Sequence, residues 1–290
     1  MKDAVKIVEC PRDAWQGLPE QIPPEVKADY LRRLINAGFR HIDAVSFVSP
    51  ATVPQMADSE RVLELLGPQK SVEIIGIVVN EKGAERATRT RAVHTLGFPF
   101  SISAGFLHRN QNQTPEESLA ALRLIVAHAQ AAELDVVGYL SMAFGNPYGE
   151  EWSIGAVVDA CALLIDAGVK QISLADTVGV ATPEQIAETV AAVLGTHSGI
   201  EIGVHLHARR SEAEALVLAA YAAGCRRFDA AIGGLGGCPF AQDALVGNLA
   251  TETLIAALTD CDATLPKLGP LNELVRASAE IVANSEIHLK

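Results

Sequence analysis

The sequence predicts a single-domain α/β protein built as a closed (β/α)8 barrel, the TIM-barrel fold. Eight short apolar or β-branched runs alternate with eight amphipathic segments over about 260 of the 290 residues, with no Pro- or Ser-rich linker between them. Alternation of this kind indicates parallel strands, and eight units of this length fit a closed barrel better than an open sheet. A glycine-rich segment at 233–237 follows the last strand and does not match G-x-G-x-x-G, which argues against an open dinucleotide-binding sheet.

The elements are predicted from apolar runs and from helical spacing between them. The predicted strands are 5–10, 40–46, 72–79, 99–104, 135–142, 170–175, 201–207 and 226–232. The predicted helices are 25–37, 57–66, 81–93, 115–133, 153–167, 183–196, 211–223 and 243–259. Thr114 and Thr182 each precede Pro and Glu, the pattern of an N-cap and a first helical turn. The barrel is expected over about 5–258, and a C-terminal helical extension over about 259–290.

Composition narrows the classes of partner. The net charge is −12 and no run of Lys or Arg occurs, so nucleic acid and anionic membranes are not expected partners. The five cysteines are widely spaced and form neither a disulfide framework nor a C-x-x-C zinc pair. The N-terminus has no signal-peptide core, and no apolar stretch reaches 18 residues. A soluble protein of the cytoplasm is therefore expected.

The segment Val204-His205-Leu206-His207 carries two imidazoles at positions i and i+2 of a predicted strand. Side chains on a strand alternate between its faces, so the two rings should project to the same side, about 7 Å apart along the strand. Two imidazoles that converge in this way can hold a divalent metal. A pair of hydrogen-bonded histidines is the alternative, and this segment alone does not decide between them.

Other polar residues gather on the rim where this histidine pair lies. Arg12 and Asp13 follow the first predicted strand, Asp43 lies in the second half of the second strand, and Asp176 follows the sixth. The C-terminal ends of the strands are where a (β/α)8 barrel carries its reactive groups. The sequence therefore places a candidate active site at this rim.

These rim residues suggest specific chemistry, each beside a structural alternative. Asp13 with the histidine pair makes a ligand set suited to Mg²⁺, Mn²⁺, Co²⁺ or Zn²⁺; otherwise it caps a helix or pairs with Arg12. Arg12 can stabilise charge that develops on a carbonyl oxygen, or can form an ordinary salt bridge. Asp43 and Asp176 can orient Arg12 or relay protons, or can satisfy loop amides.

Two further candidates follow the eighth predicted strand. Cys238, in a flexible Gly-Gly-Cys-Pro loop, can donate a proton as a general acid, whereas a buried structural role is the commoner one for a free cysteine. Asn248 can offer its amide oxygen to a metal, or can make a hydrogen bond within a helix. Both residues extend the candidate site around the same rim.

Several longer motifs resemble those of the hydroxymethylglutaryl-CoA lyases, a family within the metal-dependent lyase and condensing-enzyme superfamily of TIM barrels. The matching stretches are 7–13, 46–50, 53–56, 172–180, 205–207, 234–242 and 247–252. The likeness runs from about residue 5 to residue 258. The combination of motifs is far more specific than the histidine pair alone.

The resemblance implies a retro-Claisen cleavage of 3-hydroxy-3-methylglutaryl-CoA, or of a related 3-hydroxyacyl-CoA, to acetyl-CoA and a 3-oxo acid. It implies a divalent metal, Mg²⁺ or Mn²⁺, that binds and acidifies the substrate hydroxyl. The residues that match the family's metal ligands are Asp13, His205, His207 and Asn248. An acyl-CoA is thus the expected substrate, and the family also suggests a homo-oligomer, a dimer or larger.

The resemblance also assigns the catalytic groups. Arg12 matches the residue that stabilises the enolate oxygen of acetyl-CoA, and Cys238 matches the acid that protonates its carbon. His205 and Asp176 are the candidates for taking the hydroxyl proton. Asp43 occupies the position of a family glutamate.

Some positions depart from the family pattern without removing a metal ligand. Asp43 is one methylene shorter than the usual glutamate, which displaces its carboxylate by about 1.5 Å on an unchanged backbone. Trp15 stands where leucine is usual, and Ala208-Arg209 follows the histidine pair where the lyases carry Asp. These departures leave open which acyl chain the enzyme accepts.

Three rival functions remain at this stage. A Claisen synthase that joins acetyl-CoA to a 2-oxo acid would usually carry a regulatory region after the barrel, and only about 30 residues follow here. A catalytically silent barrel would act as a binding protein and need hold no metal. A metal hydrolase would not need Cys238.

Overall fold

The structure, a computed structural model, describes residues 4–236 and 246–286. Its eight barrel strands are β1 Lys6–Glu9, β2 His41–Ser46, β3 Glu73–Ile77, β4 Thr95–Ser101, β5 Asp135–Ser141, β6 Gln171–Asp176, β7 Glu201–Ala208 and β8 Arg227–Ala230. Each strand pairs in parallel with the next, and β8 pairs with β1. The sheet is therefore closed, and the predicted (β/α)8 barrel is confirmed.

Helices surround this barrel. They are α1 Pro11–Trp15, α2 Pro24–Ala37, α3 Ser59–Leu66, α4 Glu81–Thr90, α5 Ala104–Gln111, α6 Pro115–Ala131, α7 Ile154–Asp166, α8 Pro183–Thr196, α9 Ala213–Ala222, α10 Thr251–Thr259 and α11 Asn272–Glu286. Short 3-10 turns span Pro54–Met56 and Ile232–Gly234. The predicted caps are present: Thr114 begins α6 and Thr182 begins α8, each with a reciprocal capping box.

The prediction was wrong at the fourth strand, which begins at Thr95 and not at residue 99. Gly97 lies inside this strand, and a glycine weakens the sequence signal for a strand. The barrel requires it, because a Cβ at Gly97 would lie 2.6 Å from Cδ1 of Ile77. The end of the predicted strand instead leads into α5, which begins after Ser103 caps the backbone N–H of Phe106.

The last barrel helix also begins later than predicted. Helix α10 starts at Thr251, whereas the prediction began it at 243; residues 243–245 lie outside the described residues. Before it, a two-residue strand β9, Gly247–Asn248, pairs antiparallel with β7, and Asn248 lies opposite His207. Asn248 is thus held beside the histidine pair by a strand and not within a helix.

The apolar core fills the shell between strands and helices, while the barrel interior is partly ionic. The first residues of five strands meet at the N-terminal end of the lumen: Lys6, Glu73, Gln171, Glu201 and Arg227. Each charge in this layer has a partner, as burial requires. No helix among residues 4–236 and 246–286 is long and apolar enough to cross a membrane.

Gly203 gives Arg227 its place in this layer. The two residues are paired across β7 and β8, and a Cβ at Gly203 would lie 2.7 Å from both Cγ and Cδ of Arg227. We expect Gly203→Ala to lower the free energy of unfolding by about 1–3 kcal/mol, the usual cost of overpacking a core. Urea denaturation measures this change.

Gly195 is the matched control. It is exposed in the last turn of α8, and a Cβ there meets no atom within 4 Å. Gly195→Ala should therefore raise stability by about 0.5–1 kcal/mol, as helix propensity predicts. Equal effects at the two glycines would contradict the packing argument.

Candidate active site

The candidate site lies at the C-terminal ends of the barrel strands, as expected. Helix α1 follows β1 directly, begins with Pro11 and carries Arg12 and Asp13 in its first turn. His205 and His207 lie near the end of β7. Four side chains are at least nine-tenths buried: those of Arg12, Asp13, His205 and His207. The site is therefore built into the mouth of the barrel and not on its surface.

The three predicted ligands Asp13, His205 and His207 converge. One ligand atom from each lies within 4.8 Å of the others. Oδ2 of Asp13 is 3.9 Å from Nε2 of His205, and the two imidazole centroids are 5.1 Å apart. The i, i+2 spacing on a strand therefore brings both rings to one side, as the sequence predicts.

The chemistry of these groups fits a divalent cation. Burial would raise the pKa of Asp13, but Arg12 and the two histidines hold it well below its usual range, so the carboxylate is ionised. Burial and the neighbouring His205 lower the pKa of His207 to about 4, so this imidazole is neutral, the form that binds metal. The Nδ1 atoms of both histidines are buried without a hydrogen-bond partner among the described residues. On the side of Asp13, His205 presents its other nitrogen, Nε2. A cation there would complete the group formed by this nitrogen, His207 and the carboxylate.

Asn248 touches this group from β9. Its Nδ2 donates to Oδ2 of Asp13 at 2.9 Å and to the carbonyl of Leu235 at 2.8 Å. The side chain is therefore held against the same carboxylate oxygen that faces His205. All four predicted metal ligands lie together.

Arg12 is locked by acceptors on three sides. Its Nε donates to Oδ1 of Asp43 at 3.1 Å, and its Nη2 donates to the other oxygen of that carboxylate. Its Nη1 donates to Asp13 at 2.8 Å and to Oε1 of Gln16 at 3.0 Å. Burial raises the pKa of Asp43, and Arg12 opposes this effect. Burial would lower the pKa of Arg12, but Asp43 and Asp13 raise it, so the guanidinium stays protonated. The shorter acid at position 43 thus still makes a two-point ion pair.

Asp176 lies at the rim but is committed to a loop. Its two carboxylate oxygens accept from the backbone N–H groups of Val180 and Ala181, each at 3.0 Å. Burial raises its pKa to about 6, against those loop amides. Asp176 therefore satisfies loop amides, the structural alternative considered for it in the sequence analysis.

Cys238, Trp15 and Arg209 are the remaining residues singled out from the sequence. Cys238 is outside the described residues. Trp15 is buried against Tyr30, with ring centroids 5.6 Å apart. Arg209 is exposed, and its Nη1 lies 3.7 Å from Oε1 of Glu212. Neither Trp15 nor Arg209 lines the cavity above the histidine pair.

That cavity has a volume of about 430 Å³. Its lining includes three of the predicted ligands, Asp13, His205 and His207, with Arg12. Gln16 and Tyr139, which sequence analysis missed, also line it. Apolar side chains also line it, those of Val48, Val53, Ile77, Val79 and Phe106. Three further carboxamides, those of Asn80, Asn110 and Gln111, belong to the same lining. The cavity therefore combines ionic, apolar and amide side chains.

Gln16 and Glu9 are the missed residues that hold the site from below. Gln16 donates to Asp13 at 2.8 Å, and its position four residues after Arg12 was the available signal. Glu9 ends β1 and accepts from the backbone N–H of Ile232 at 2.7 Å and from the hydroxyl of Thr251 at 2.6 Å. Glu9 thereby ties β1 to Ile232, which precedes β9, and to Thr251, which follows it. Sequence gave no sign of this, because the contacts join distant parts of the chain.

Comparison with known proteins agrees with this architecture. The family model described as HMGL-like matches residues 4–278. The hydroxymethylglutaryl-CoA lyase of Mus musculus mitochondria is 38% identical over 255 residues, covering 88% of this chain and 78% of that protein. The Bacillus subtilis hydroxymethylglutaryl-CoA lyase is 33% identical over 252 residues, covering 87% and 84%. This chain belongs to the HMGL-like family.

Solved structures of the family superpose closely on the chain. An HMG-CoA lyase from Acinetobacter baumannii, in complex with coenzyme A and 3-methylmalate, gives a TM-score of 0.89 at 33% identity, over 98% of this chain and 92% of that one. An HMG-CoA lyase from Brucella melitensis gives 0.89 at 31% identity, over 98% and 99%. The family assignment therefore holds in both sequence and fold.

Glu9 should make stability depend on pH. Burial raises its pKa to about 8 from an ordinary 4.5, although Thr251 and Ile232 lower it. The folded chain then keeps a proton that the unfolded chain loses, so stability should fall as pH rises from about 4.5 to about 8, by up to about 1.4 kcal/mol per pH unit. Glu9→Gln cannot ionise and should remove this part of the slope. Urea denaturation at several pH values between 5 and 8 measures it.

Glu188→Gln is the control, because it makes the same chemical change on the exposed side of α8. Its slope should match that of the unaltered chain. A Glu9→Gln slope equal to the control's would show that Glu9 ionises alike in both states.

Proposed function

We propose that this chain is a divalent-metal-dependent carbon–carbon lyase that cleaves 3-hydroxy-3-methylglutaryl-CoA to acetyl-CoA and acetoacetate. The observation that carries the proposal is the convergence of Asp13, His205 and His207 beside a fixed Arg12, inside a chain of the HMGL-like family. Asn248 lies against Asp13 and would offer its amide oxygen as the fourth ligand. Mg²⁺ or Mn²⁺ suits a site of carboxylate, imidazole and amide ligands.

A bound divalent cation would supply Lewis-acid polarisation of the substrate's tertiary hydroxyl, which lowers the pKa of that hydroxyl. The chain holds the ligands for this cation on α1, β7 and β9, three elements fixed to the barrel wall. Rigid placement of this kind avoids reorganisation during the reaction.

Arg12 stabilises the negative charge that forms on the thioester oxygen when the carbon–carbon bond breaks. Its Nε and Nη2 donate to Asp43, and its Nη1 donates to Asp13 and Gln16. These hydrogen bonds keep the guanidinium from rotating away. A preorganised donor in a buried site is worth more than the same donor in water.

Proton transfers complete the reaction. Of the two sequence candidates for taking the hydroxyl proton, Asp176 has both oxygens held by loop amides, and His205 lines the cavity as a ligand of the cation. Cys238 is proposed to protonate the carbon of the acetyl-CoA enolate, on the strength of its place in the family motif. The electron pair of the broken bond thus ends in a new C–H bond of acetyl-CoA.

The outer cavity supports an acyl-CoA as the substrate. The pantetheine arm of coenzyme A combines an aliphatic chain with two amides, and the cavity wall offers both apolar side chains and carboxamides. Among the carboxamides, Gln111 has a buried Oε1 with no hydrogen-bond partner in the described chain. An amide N–H of the arm would satisfy it.

The purified chain should release acetyl-CoA and acetoacetate from 3-hydroxy-3-methylglutaryl-CoA when Mg²⁺ or Mn²⁺ is present. EDTA should abolish the reaction and excess cation should restore it, since Asp13 and both histidines serve the cation. Coupled assays for the two products measure this. Release of free thiol from acetyl-CoA plus a 2-oxo acid, without lyase activity, would favour the synthase instead.

Asp13→Asn and Asp159→Asn provide a matched pair for that assay. Asp13 is buried in the site, whereas Asp159 is exposed on α7. Asp13→Asn should raise the cation concentration needed for half-maximal activity, and Asp159→Asn should not. Identical cation dependence in both variants would remove Asp13 from the proposed ligand set.

Cys238→Ser should lower kcat about 10²- to 10⁴-fold, the usual contribution of a general acid, with little change in KM. The measurement is steady-state kinetics of acetyl-CoA release. A metal hydrolase would need no thiol, so unchanged kcat would contradict the lyase mechanism. Cys261→Ser, an exchange at an exposed cysteine, is the control.

A further inference from the structure

Asp229 is a buried carboxylate directly beneath the histidine pair, and neither the sequence motifs nor the proposed mechanism uses it. It lies on β8 and is paired with His205 across the β7–β8 boundary. Its exposed fraction is 1%. An ionised group so deeply buried is costly unless every oxygen has a partner.

Two neighbours already hold this carboxylate. The hydroxyl of Ser173 donates to Oδ2 at 2.7 Å, and Nε of Arg227 lies 3.4 Å from Oδ1. Ser173 is on β6 and Arg227 on β8, so the carboxylate is fixed by strands on both sides of β7. Its position is therefore set by the barrel and not by the site above it.

The remaining lone pairs of Asp229 face His205. Its Oδ2 is 3.5 Å from Nδ1 of His205, and that Nδ1 is buried without a hydrogen-bond partner among the described residues. On the other side of the ring, Nε2 points toward Oδ2 of Asp13. The ring thus has one nitrogen over a carboxylate and the other over the proposed cation. Hydrogen bonds at such sites are often long in the free enzyme and shorten when the site is filled.

We propose that Asp229 is a positioning residue that accepts the Nδ1–H of His205 and so directs the Nε2 lone pair at the metal. The inference rests on the proposed function, because it needs the cation site. A histidine ligand generally donates its second N–H to a carboxylate or carbonyl, which fixes the tautomer and increases the basicity of the ligating nitrogen.

One consequence concerns the hydroxyl proton. With Nδ1–H given to Asp229 and Nε2 given to the cation, His205 has no lone pair left for a proton. His205 therefore acts as a ligand and not as the base.

Metal affinity tests the role of Asp229 without relying on activity. Mn²⁺ alone is titrated into the full chain, and free Mn²⁺ is measured by electron paramagnetic resonance. Asp229→Ala should raise the Kd for Mn²⁺ about 10- to 100-fold, the usual effect of removing such a partner. Asp229→Asn keeps an oxygen that can accept Nδ1–H and should restore part of the affinity.

Glu201→Gln separates orientation from charge. Glu201 pairs with the same Arg227 at 3.1 Å, so this variant removes one negative charge from the lumen without changing a neighbour of His205. Its Kd should stay within about twofold of the unaltered chain. A loss as large as that of Asp229→Ala would assign the effect to charge alone and overturn the proposal, as would an unchanged Kd in Asp229→Ala.

The tautomer gives a second measurement that needs no variant. Long-range ¹H–¹⁵N spectra of the Mg²⁺-saturated chain should show Nδ1 of His205 protonated and Nε2 unprotonated. The reverse pattern would overturn the proposal. This test holds even if Asp229→Ala fails to fold. Unaltered chain that binds no Mn²⁺ would overturn the proposed function and this inference together. If the unaltered chain binds Mn²⁺ and Asp229→Ala binds it with the same Kd, only the inference about Asp229 is overturned.

Discussion

The guanidinium of Arg12 stands between two buried carboxylates, those of Asp13 and Asp43, and the rest of the site depends on this arrangement. One positive charge faces two negative charges, so the group carries a net charge of −1. Asp43 is fully buried and spends both oxygens on Arg12, whereas Asp13 keeps Oδ2 for the side where the histidines lie. The uncompensated charge is therefore presented to the cavity, where a cation lowers its electrostatic energy.

The same alternation of charge continues down the barrel. Below His205 come Asp229, then Arg227, then Glu201, each within 3.5 Å of the next. These residues lie on β7 and β8, so their contacts follow directly from the register of those two strands. A slip of one residue would turn every one of these side chains to the other face of the sheet. The ionic column thus specifies the strand register at the same time as it positions the imidazole, and the stability of the barrel and the geometry of the site are not independent.

Sequence reasoning found what depends on local periodicity. The barrel followed from the alternation of elements, and the convergence of His205 and His207 followed from the two-residue period of a strand. It did not find Glu9 or Asp229, because an acid within a strand looks the same whether it faces solvent, a helix or a ligand. Only the pairing of distant strands shows that Asp229 lies beneath His205. The misplaced start of β4 has a related cause, since Gly97 weakens the local signal while tight packing across the barrel demands it.

Three positions that depart from the family pattern, Trp15, Arg209 and Asp43, differ in how they relate to the cavity. Trp15 packs on Tyr30 and Arg209 lies beside Glu212, so neither shapes the part of the cavity that the structure describes. Asp43 is shorter than a glutamate, yet its two bonds to Arg12 show that the guanidinium reaches it. The shorter acid therefore still holds the guanidinium in place. Because Arg12 lines the cavity, Asp43 bears on that cavity through the position of a positive charge.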